Sequence, residues 1–337
     1  MSRNIMITGG AGFIGSHFVH HWHSLFPGDS ILIVDALTYA GNVDNIGSLI
    51  DVIDFVRQDI SNQQEMEALL SNYKIDVVVN FAAESHNSLA LIDPARFFRT
   101  NVMGTQALLE AARRVGVERF HHVSTCEVYG DLALDSDEKF TEDSPYRPRT
   151  PYNASKAGAD HVVRAYFETF RLPITISNCA NNYGPYQFPE KVLPLFVTRA
   201  LNGEKLPVYQ SKENKREWIH AIDHCKAISR IIVEGRIGET YHVGTGVEAS
   251  VDEIANLVLQ ELGLPPSFKG EVPDRPGHDR RYVLDWSKCK EELNWRPVID
   301  FHVGVSDTIR WYAENRDWWE PLLQRAMVRE DNWKAVR

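Results

Sequence analysis

Residues 4–15 read NIMITGGAGFIG, and the fold turns on how that stretch is read. Asn4 to Thr8 is a short apolar run of the kind that makes a buried strand. Gly9, Gly12 and Gly15 follow in a turn, and Phe13 to Phe26 has the spacing of a helix. Glycine at those places removes a Cβ from the tight turn, from the path of an approaching pyrophosphate and from the packing of helix on strand. The first N–H groups of the helix are left unpaired and attract phosphate charge. Three glycines alone are weak evidence, but between a strand and a helix they form a dinucleotide-binding pattern. Asp35 ends the next apolar run, ILIVD, 20 residues after Gly15. A carboxylate there accepts from both ribose hydroxyls and repels a 2′-phosphate, which favours NAD over NADP. Cofactor contacts are expected at Gly9, Gly12, Phe13, Ile14, Gly15 and Asp35, at Asp59 and Ile60 after the strand-like FVRQ, and at Ala82.

Outward from this unit, VVVNFAA at 77–83, FHHVST at 120–125 and PITISNC at 173–179 read as further strands. ALLEAARRVG at 107–116 and Tyr152 to Leu172 read as helices between them. Apolar runs alternating with amphipathic helices predict an α/β fold, a Rossmann-type doubly wound parallel sheet. Beyond residue 180 the pattern loosens around Pro185, Pro189, Pro194 and Pro207, with two clear helices near 222–234 and 250–262. The expectation is a dinucleotide-binding domain over 1–180, with a returning segment near 220–245 because ETYHVG at 239–244 resembles a sheet strand. A smaller mixed α/β substrate lobe would take most of 181–337. The tryptophans from Trp311 to Trp333 are expected to be packing surface.

With 337 residues, 43% of them hydrophobic, the chain can bury a sizeable core. It has no apolar run long enough to span a bilayer, and Gly9 and Gly10 break up its start where a signal peptide would be apolar, so a cytoplasmic protein is expected. A net charge of −10 without a basic run argues against nucleic-acid binding. Cys126, Cys179, Cys225 and Cys289 lie far apart with no Cys-x-x-Cys pair, so reduced thiols are expected rather than zinc ligands or disulfides. His86, His121, His122, His220 and His278 have no metal-binding spacing.

Tyr152 and Lys156 stand four apart at the start of a helix and so share a face. An ammonium beside a phenol favours the phenolate, which suits the tyrosine to take a proton from a hydroxyl while hydride leaves for a nicotinamide. Thr125, at the end of a preceding strand, belongs with them.

At this point the chain resembles the extended short-chain dehydrogenases, and within them the dTDP-glucose 4,6-dehydratase family. The resemblance rests on TGGAGFIG at 8–15, VDALTYAGN at 34–42, FAAESH at 81–86, STCEVYGD at 124–131, YNASK at 152–156, NNYGPYQFPEK at 181–191, LPVY at 206–209 and DRPGHDRRY at 274–282. It implies a nucleotide-hexose substrate, dTDP- or UDP-linked, an NAD cofactor and a homodimer. It implies C4 oxidation of the hexose, loss of the C5 proton and departure of the C6 hydroxyl. In those roles Tyr152 would be the C4 base, Lys156 its tuner, Thr125 a hydrogen-bond donor to the sugar and Glu127 the C5 base. The resemblance further implies substrate contacts from Ser85, His86, Asn182, Lys191, Arg216, Arg275 and His278, with Leu206, Pro207 and Tyr209 as a wall for the base. Arginine suits the diphosphate because its fork donates two bonds at once.

Three positions depart from the family pattern. Thr125-Cys126-Glu127 stands where the family has Thr-Asp-Glu, so Cys126 occupies the place of the acid that protonates the departing hydroxyl. A thiol can donate, but it is weaker than a carboxyl by about four pH units, and a small buried hydrophobe is the other reading. Asn87-Ser88-Leu89-Ala90-Leu91 stands in place of Val-Asp-Arg-Ser-Ile and removes both charges. His242 replaces an asparagine on the nucleotide-contact strand, with ligand contact and packing both open. A 5,6-alkene-forming dehydratase, a C4 epimerase and a uronic-acid decarboxylase share the same chemistry. A non-catalytic NAD-binding relative would have no use for Tyr152, Lys156 and Glu127 together.

Overall fold

The computed structural model describes residues 2–325. Six strands carry the first half of the chain: β1 (Asn4–Thr8), β2 (Ser30–Asp35), β3 (Asp54–Arg57), β4 (Val77–Asn80), β5 (Arg119–Thr125) and β6 (Ile174–Cys179). Six more follow: β7 (Asn181–Tyr183), β8 (Leu206–Tyr209), β9 (Lys215–His220), β10 (Thr240–Val243), β11 (Glu248–Ser250) and β12 (Lys269–Val272). Seven of them form one parallel sheet in the order β10-β6-β5-β4-β1-β2-β3.

Successive side chains of a strand point to opposite faces, and a parallel sheet covered on both sides needs both sets apolar. Met6, Leu32, Val34, Val78 and Phe120 accordingly join one core, under the helices Gln63–Asn72, Thr105–Val115 and Pro151–Phe170. Ile5, Ile7, Ile31, Ile33, Val77 and Val79 join another with Phe18, Trp22 and Ile228, under the helices Phe13–Leu25 and Ala221–Glu234. The strand order reverses between β1 and β4, and in such a sheet the crevice outside the carboxyl ends of the strands at that point receives ligands. β4 ends at Asn80, so the residues read as its continuation, 81–83, leave the sheet and enter that crevice. β10 lies beside β6 at the edge of the sheet, with His242 opposite Asn178.

The other strands form a three-stranded sheet, β11-β9-β7, and a parallel pair, β12-β8. Around them the helices Val192–Leu201, Val251–Glu261 and Phe301–Glu314 enclose a third core built on Tyr183, Phe196, Trp218, Ile254, Ile309, Tyr312 and Trp319. Trp311 and Trp318 pack against it, whereas Trp333 lies outside the described residues, as does the end of the 181–337 segment. Two substantial helices here escape the sequence reading. Pro194 sits in the first turn of Val192–Leu201, where its missing N–H breaks no intrahelical bond. Phe301–Glu314 contains Gly304 and several β-branched residues. It is held by the Asp300 cap, which accepts from His302 and Val303 N–H, and by close packing in which a Cβ on Gly304 would sit 2.6 Å from the Tyr183 hydroxyl.

Candidate active site

A cleft of about 440 Å³ opens at the switch point and runs from the glycine turn to the second lobe. Its first end has the shape of a dinucleotide cradle. Gly9 has φ +67°, and a Cβ there would lie 2.7 Å from the Ala82 nitrogen, while a Cβ on Gly15 would collide with the Gly9 carbonyl. Gly12 caps the helix Phe13–Leu25 without a side chain, so the first N–H groups stay open to an anion. Asp35 is buried at the end of β2 and accepts from Ala11 N at 3.0 Å and Leu37 N at 2.8 Å. Burial raises its carboxyl above the ordinary aspartate range, and the two backbone bonds oppose that. Phe13, Ile14, Asp59, Ile60 and Ala82 line the same end. The residues present fit a dinucleotide with free ribose hydroxyls.

Thr125 closes β5, and Glu127 lies in the tight turn that follows, its backbone N–H bonded to Thr125 Oγ1 at 3.3 Å. Tyr152 and Lys156 project from the first turns of the helix Pro151–Phe170, whose N-cap, Thr150, accepts from Asn153 N at 3.2 Å. All four line the cleft. The expected pairing of lysine with phenol is corrected by the geometry. Lys156 Nζ donates to the Val123 carbonyl at 2.8 Å and lies 3.4 Å from His122 Nε2. Burial pushes the Tyr152 phenol well above its usual value and the nearby Glu127 adds to the rise, against a smaller opposing hydrogen bond with Thr125. Burial likewise lowers Lys156, and the Asp160 carboxylate opposes that. Asp160 is fully buried and accepts from Ser124 Oγ at 2.9 Å, Tyr146 OH at 2.8 Å and Asn178 Nδ2 at 3.3 Å, with His122 Nε2 3.5 Å from its Oδ1. Lysine and phenol thus meet in the same cleft, but the lysine is anchored to the sheet beneath.

Cys126 requires a second correction. The thiol is fully buried among Val128, Tyr129, Ala157, Tyr282 and Leu284 and does not line the cleft, and burial pushes it well above the ordinary thiol range. A group so placed is a poor donor to a departing hydroxyl, and the small-hydrophobe reading fits it.

Toward the second lobe, Ser85, His86, Asn182, Lys191, Pro207, Tyr209, Arg216, Arg275 and His278 line the cleft. Lys191 Nζ donates to the Ser85 carbonyl at 2.6 Å, and Arg216 is pinned through the carbonyls of Lys215 and Asp279, both at 2.7 Å. Arg275 Nε is buried without a partner, a donor aimed at something other than this chain. Burial, with Arg275 and Arg216 beside it, lowers His278 to about 2, so this end carries its positive charge on the arginines and Lys191. Two expected contacts fall elsewhere. Along β8 the alternation turns Pro207 and Tyr209 to the cleft, while Leu206 and Val208 enter the core. His242 is fully buried, with Nε2 2.7 Å from the Tyr129 hydroxyl and Nδ1 3.1 Å from the Asp285 carbonyl, so it packs.

Among the cleft residues not named individually from sequence are Tyr39, Glu190 and Tyr282, and Asn87 was named only as part of the departing 87–91 segment. The Glu190 side chain is buried, accepts from Tyr39 OH at 2.9 Å and lies 3.4 Å from His86 Nε2. Tyr282 donates to Asn181 Oδ1 at 2.7 Å under the Arg216 guanidinium, and Asn87 donates to Glu127 Oε2 at 3.2 Å. Tyr39, Glu190 and Tyr282 belong to the motifs VDALTYAGN, NNYGPYQFPEK and DRPGHDRRY, and that membership was the signal available.

The sequence model of the family described as GDP-mannose 4,6 dehydratase matches residues 6–308. A dTDP-glucose 4,6-dehydratase of Mycobacterium tuberculosis is 46% identical over 326 residues, covering 96% of this chain and 98% of that protein. The crystal structure of DesIV, a dTDP-glucose 4,6-dehydratase of Streptomyces venezuelae with NAD and dTDP bound, superposes with a TM-score of 0.91 at 46% identity. It covers 95% of this chain and 99% of that one. A UDP-glucose 4-epimerase of Thermotoga maritima, solved with UDP-glucose, is more distant at 29% identity, with a TM-score of 0.86 over 93% of this chain and 99% of that one.

Proposed function

The chain belongs to the GDP-mannose 4,6-dehydratase family, and from that premise we propose that it is an NAD-dependent nucleotide-hexose 4,6-dehydratase acting on dTDP-glucose or a close UDP analogue. One observation carries the reading. A single cleft joins a dinucleotide cradle ending in Asp35, the group Thr125, Glu127, Tyr152 and Lys156, and a cationic wall of Lys191, Arg216 and Arg275. That order matches a substrate whose sugar lies against the cofactor and whose diphosphate lies against the arginines.

Bound in the cradle, NAD would supply the acceptor for hydride from C4 and its donor to C6. The rest of the reaction belongs to the protein. Tyr152 accepts the C4 hydroxyl proton as its phenolate, a form that burial disfavours and a positive charge beside it favours. Thr125 donates to the sugar and orients it. With a ketone at C4 the C5 hydrogen becomes acidic, and Glu127 removes it. Because Cys126 stands outside the cleft, Glu127 also passes the proton it took from C5 to the departing C6 hydroxyl, which leaves as water; the carboxylate then takes a proton from solvent and gives it to C5, while the C4 hydroxyl proton held by Tyr152 goes to solvent. Gly9, Gly12, Gly15 and Asp35 hold the cofactor. Ser85, His86 and Asn182 face the sugar end, and Pro207 and Tyr209 wall the base.

The unit that binds NAD is read as residues 1–180 with the returning segment 220–245, and the substrate lobe as the rest from 181. The protein is read as a cytoplasmic homodimer, which its mass in solution tests. Among the described residues no helix is long and apolar enough to cross a membrane. The function is tested by incubation with dTDP- and UDP-hexoses in turn. A product lighter by one water with a 4-keto carbon supports it, and an epimer of unchanged mass overturns it.

A further inference from the structure

We propose that Asn87 is a positioning residue for Glu127, fixing which carboxylate oxygen meets the C5 proton. The inference rests on the reading of Glu127 as the C5 base.

Asn87 opens the short helix Asn87–Ile92, lines the cleft, and bridges two parts of the site. Its Nδ2 donates to Glu127 Oε2 at 3.2 Å, and its Oδ1 accepts from Thr150 Oγ1 at 3.2 Å. The carboxylate sets the orientation of this amide. It only accepts, so the atom facing Glu127 is the NH₂ group. That turns the Asn87 oxygen to Thr150, whose hydroxyl donates to it while accepting from Asn153 N as the cap of the helix that carries Tyr152 and Lys156. One amide therefore ties the proposed C5 base to the N-cap of the helix that bears the proposed C4 base.

One consequence follows for the reaction. With Oε2 engaged, Oε1 is the oxygen left to take the C5 proton, so the carboxylate presents one basic atom in one place rather than two by rotation about its last bond.

The test uses the full-length holoenzyme with dTDP-4-keto-6-deoxyglucose in heavy water, following deuterium entry at C5, a step that needs no hydride transfer. In parallel, the Michaelis constant for the sugar is measured in the same exchange reaction. Asn87→Val should slow C5 exchange at saturating sugar about tenfold, the scale of a lost hydrogen bond to a charged group, and leave that constant within about twofold. Asn87→Asp, nearly identical in shape, has no donor and sets a second carboxylate against the first, so it should slow exchange at least as much. Loss of exchange in Glu127→Gln with wild-type exchange in both Asn87 variants overturns the inference alone. Wild-type exchange in Glu127→Gln overturns instead the reading it rests on.

Discussion

Replacing Asp160 by asparagine tests how the buried network beneath the cleft governs the charge of Lys156. Lys156 Nζ lies 3.4 Å from His122 Nε2, which lies 3.5 Å from Asp160 Oδ1. Ammonium and carboxylate are therefore no more than about 7 Å apart. At an effective dielectric of about 20 their attraction is then about 2.4 kcal/mol. Burial lowers this lysine and Asp160 is the first of the groups that resist, so removing its charge lets the ammonium deprotonate earlier. The amide oxygen can still accept from Ser124, Tyr146 and Asn178, which keeps most of the local geometry. The assay is the single-turnover appearance of NADH absorbance as a function of pH. The alkaline limb should move clearly to lower pH in Asp160→Asn. Tyr146→Phe, which removes a 2.8 Å hydrogen bond to the same carboxylate but no charge, should move it much less. An unmoved limb in a folded Asp160→Asn protein would refute the argument that this carboxylate keeps Lys156 cationic.

Asp35→Ala should weaken NAD binding about 10²-fold or more, since charge-assisted ribose bonds are lost, and should erase any preference over NADP. Titration of both cofactors checks it, and unchanged NAD affinity would remove Asp35 from the ribose site. Cys126→Ala should cost about 1 kcal/mol of stability and slow water loss no more than it slows C4 oxidation, because the thiol is buried outside the cleft. A selective slowing of about 10²-fold in the elimination step would return the thiol to the reaction. Stability should fall as pH drops from 7.5 to 5.5. Burial lowers His17 to about 4, His86, His121, His224 and His242 to about 3, and His278 to about 2. A base depressed in the fold contributes stability above its unfolded pKa near 6.5 and loses it below, on the order of 1 kcal/mol per histidine per pH unit. Glu217, raised to about 7, and Asp279, raised to about 6, work in the opposite direction, as do the raised carboxyls of Asp35, Glu84, Glu142 and Glu190, but with His21, His122 and His220 also lowered they are six against nine. Urea midpoints at the two pH values decide, and a higher midpoint at pH 5.5 would contradict the balance.

The sheet was legible because its strands are buried on both faces. Runs such as IMI, ILIV and VVV then have no other home, and the helices between them carry a clear stripe. The glycine turn and Asp35 could be read for the same reason, since the chemistry of a backbone turn is local. The second lobe resisted because Val192–Leu201 and Phe301–Glu314 owe their existence to the core they enclose rather than to their own propensity. In the site, residue types could be read but directions could not. Leu206 and His242 turn inward because of strand alternation and edge packing. Cys126 is buried by Tyr282 and Leu284, more than 150 residues away in sequence. The lysine–phenol pair was read from four-residue spacing, which puts two side chains on one face. It does not say that one of them bonds to the Val123 carbonyl below.

The central claim is that this cleft oxidises C4, expels the C6 hydroxyl and delivers hydride to C6. Its most direct test is a single turnover with dTDP-glucose deuterated at C4, followed by proton and deuterium spectra of the product. The account expects a 4-keto-6-deoxy sugar, lighter by one water, with the deuterium on the C6 methyl group. Deuterium retained at C4 of a 5,6-unsaturated sugar, or an epimer that keeps every oxygen, would contradict it.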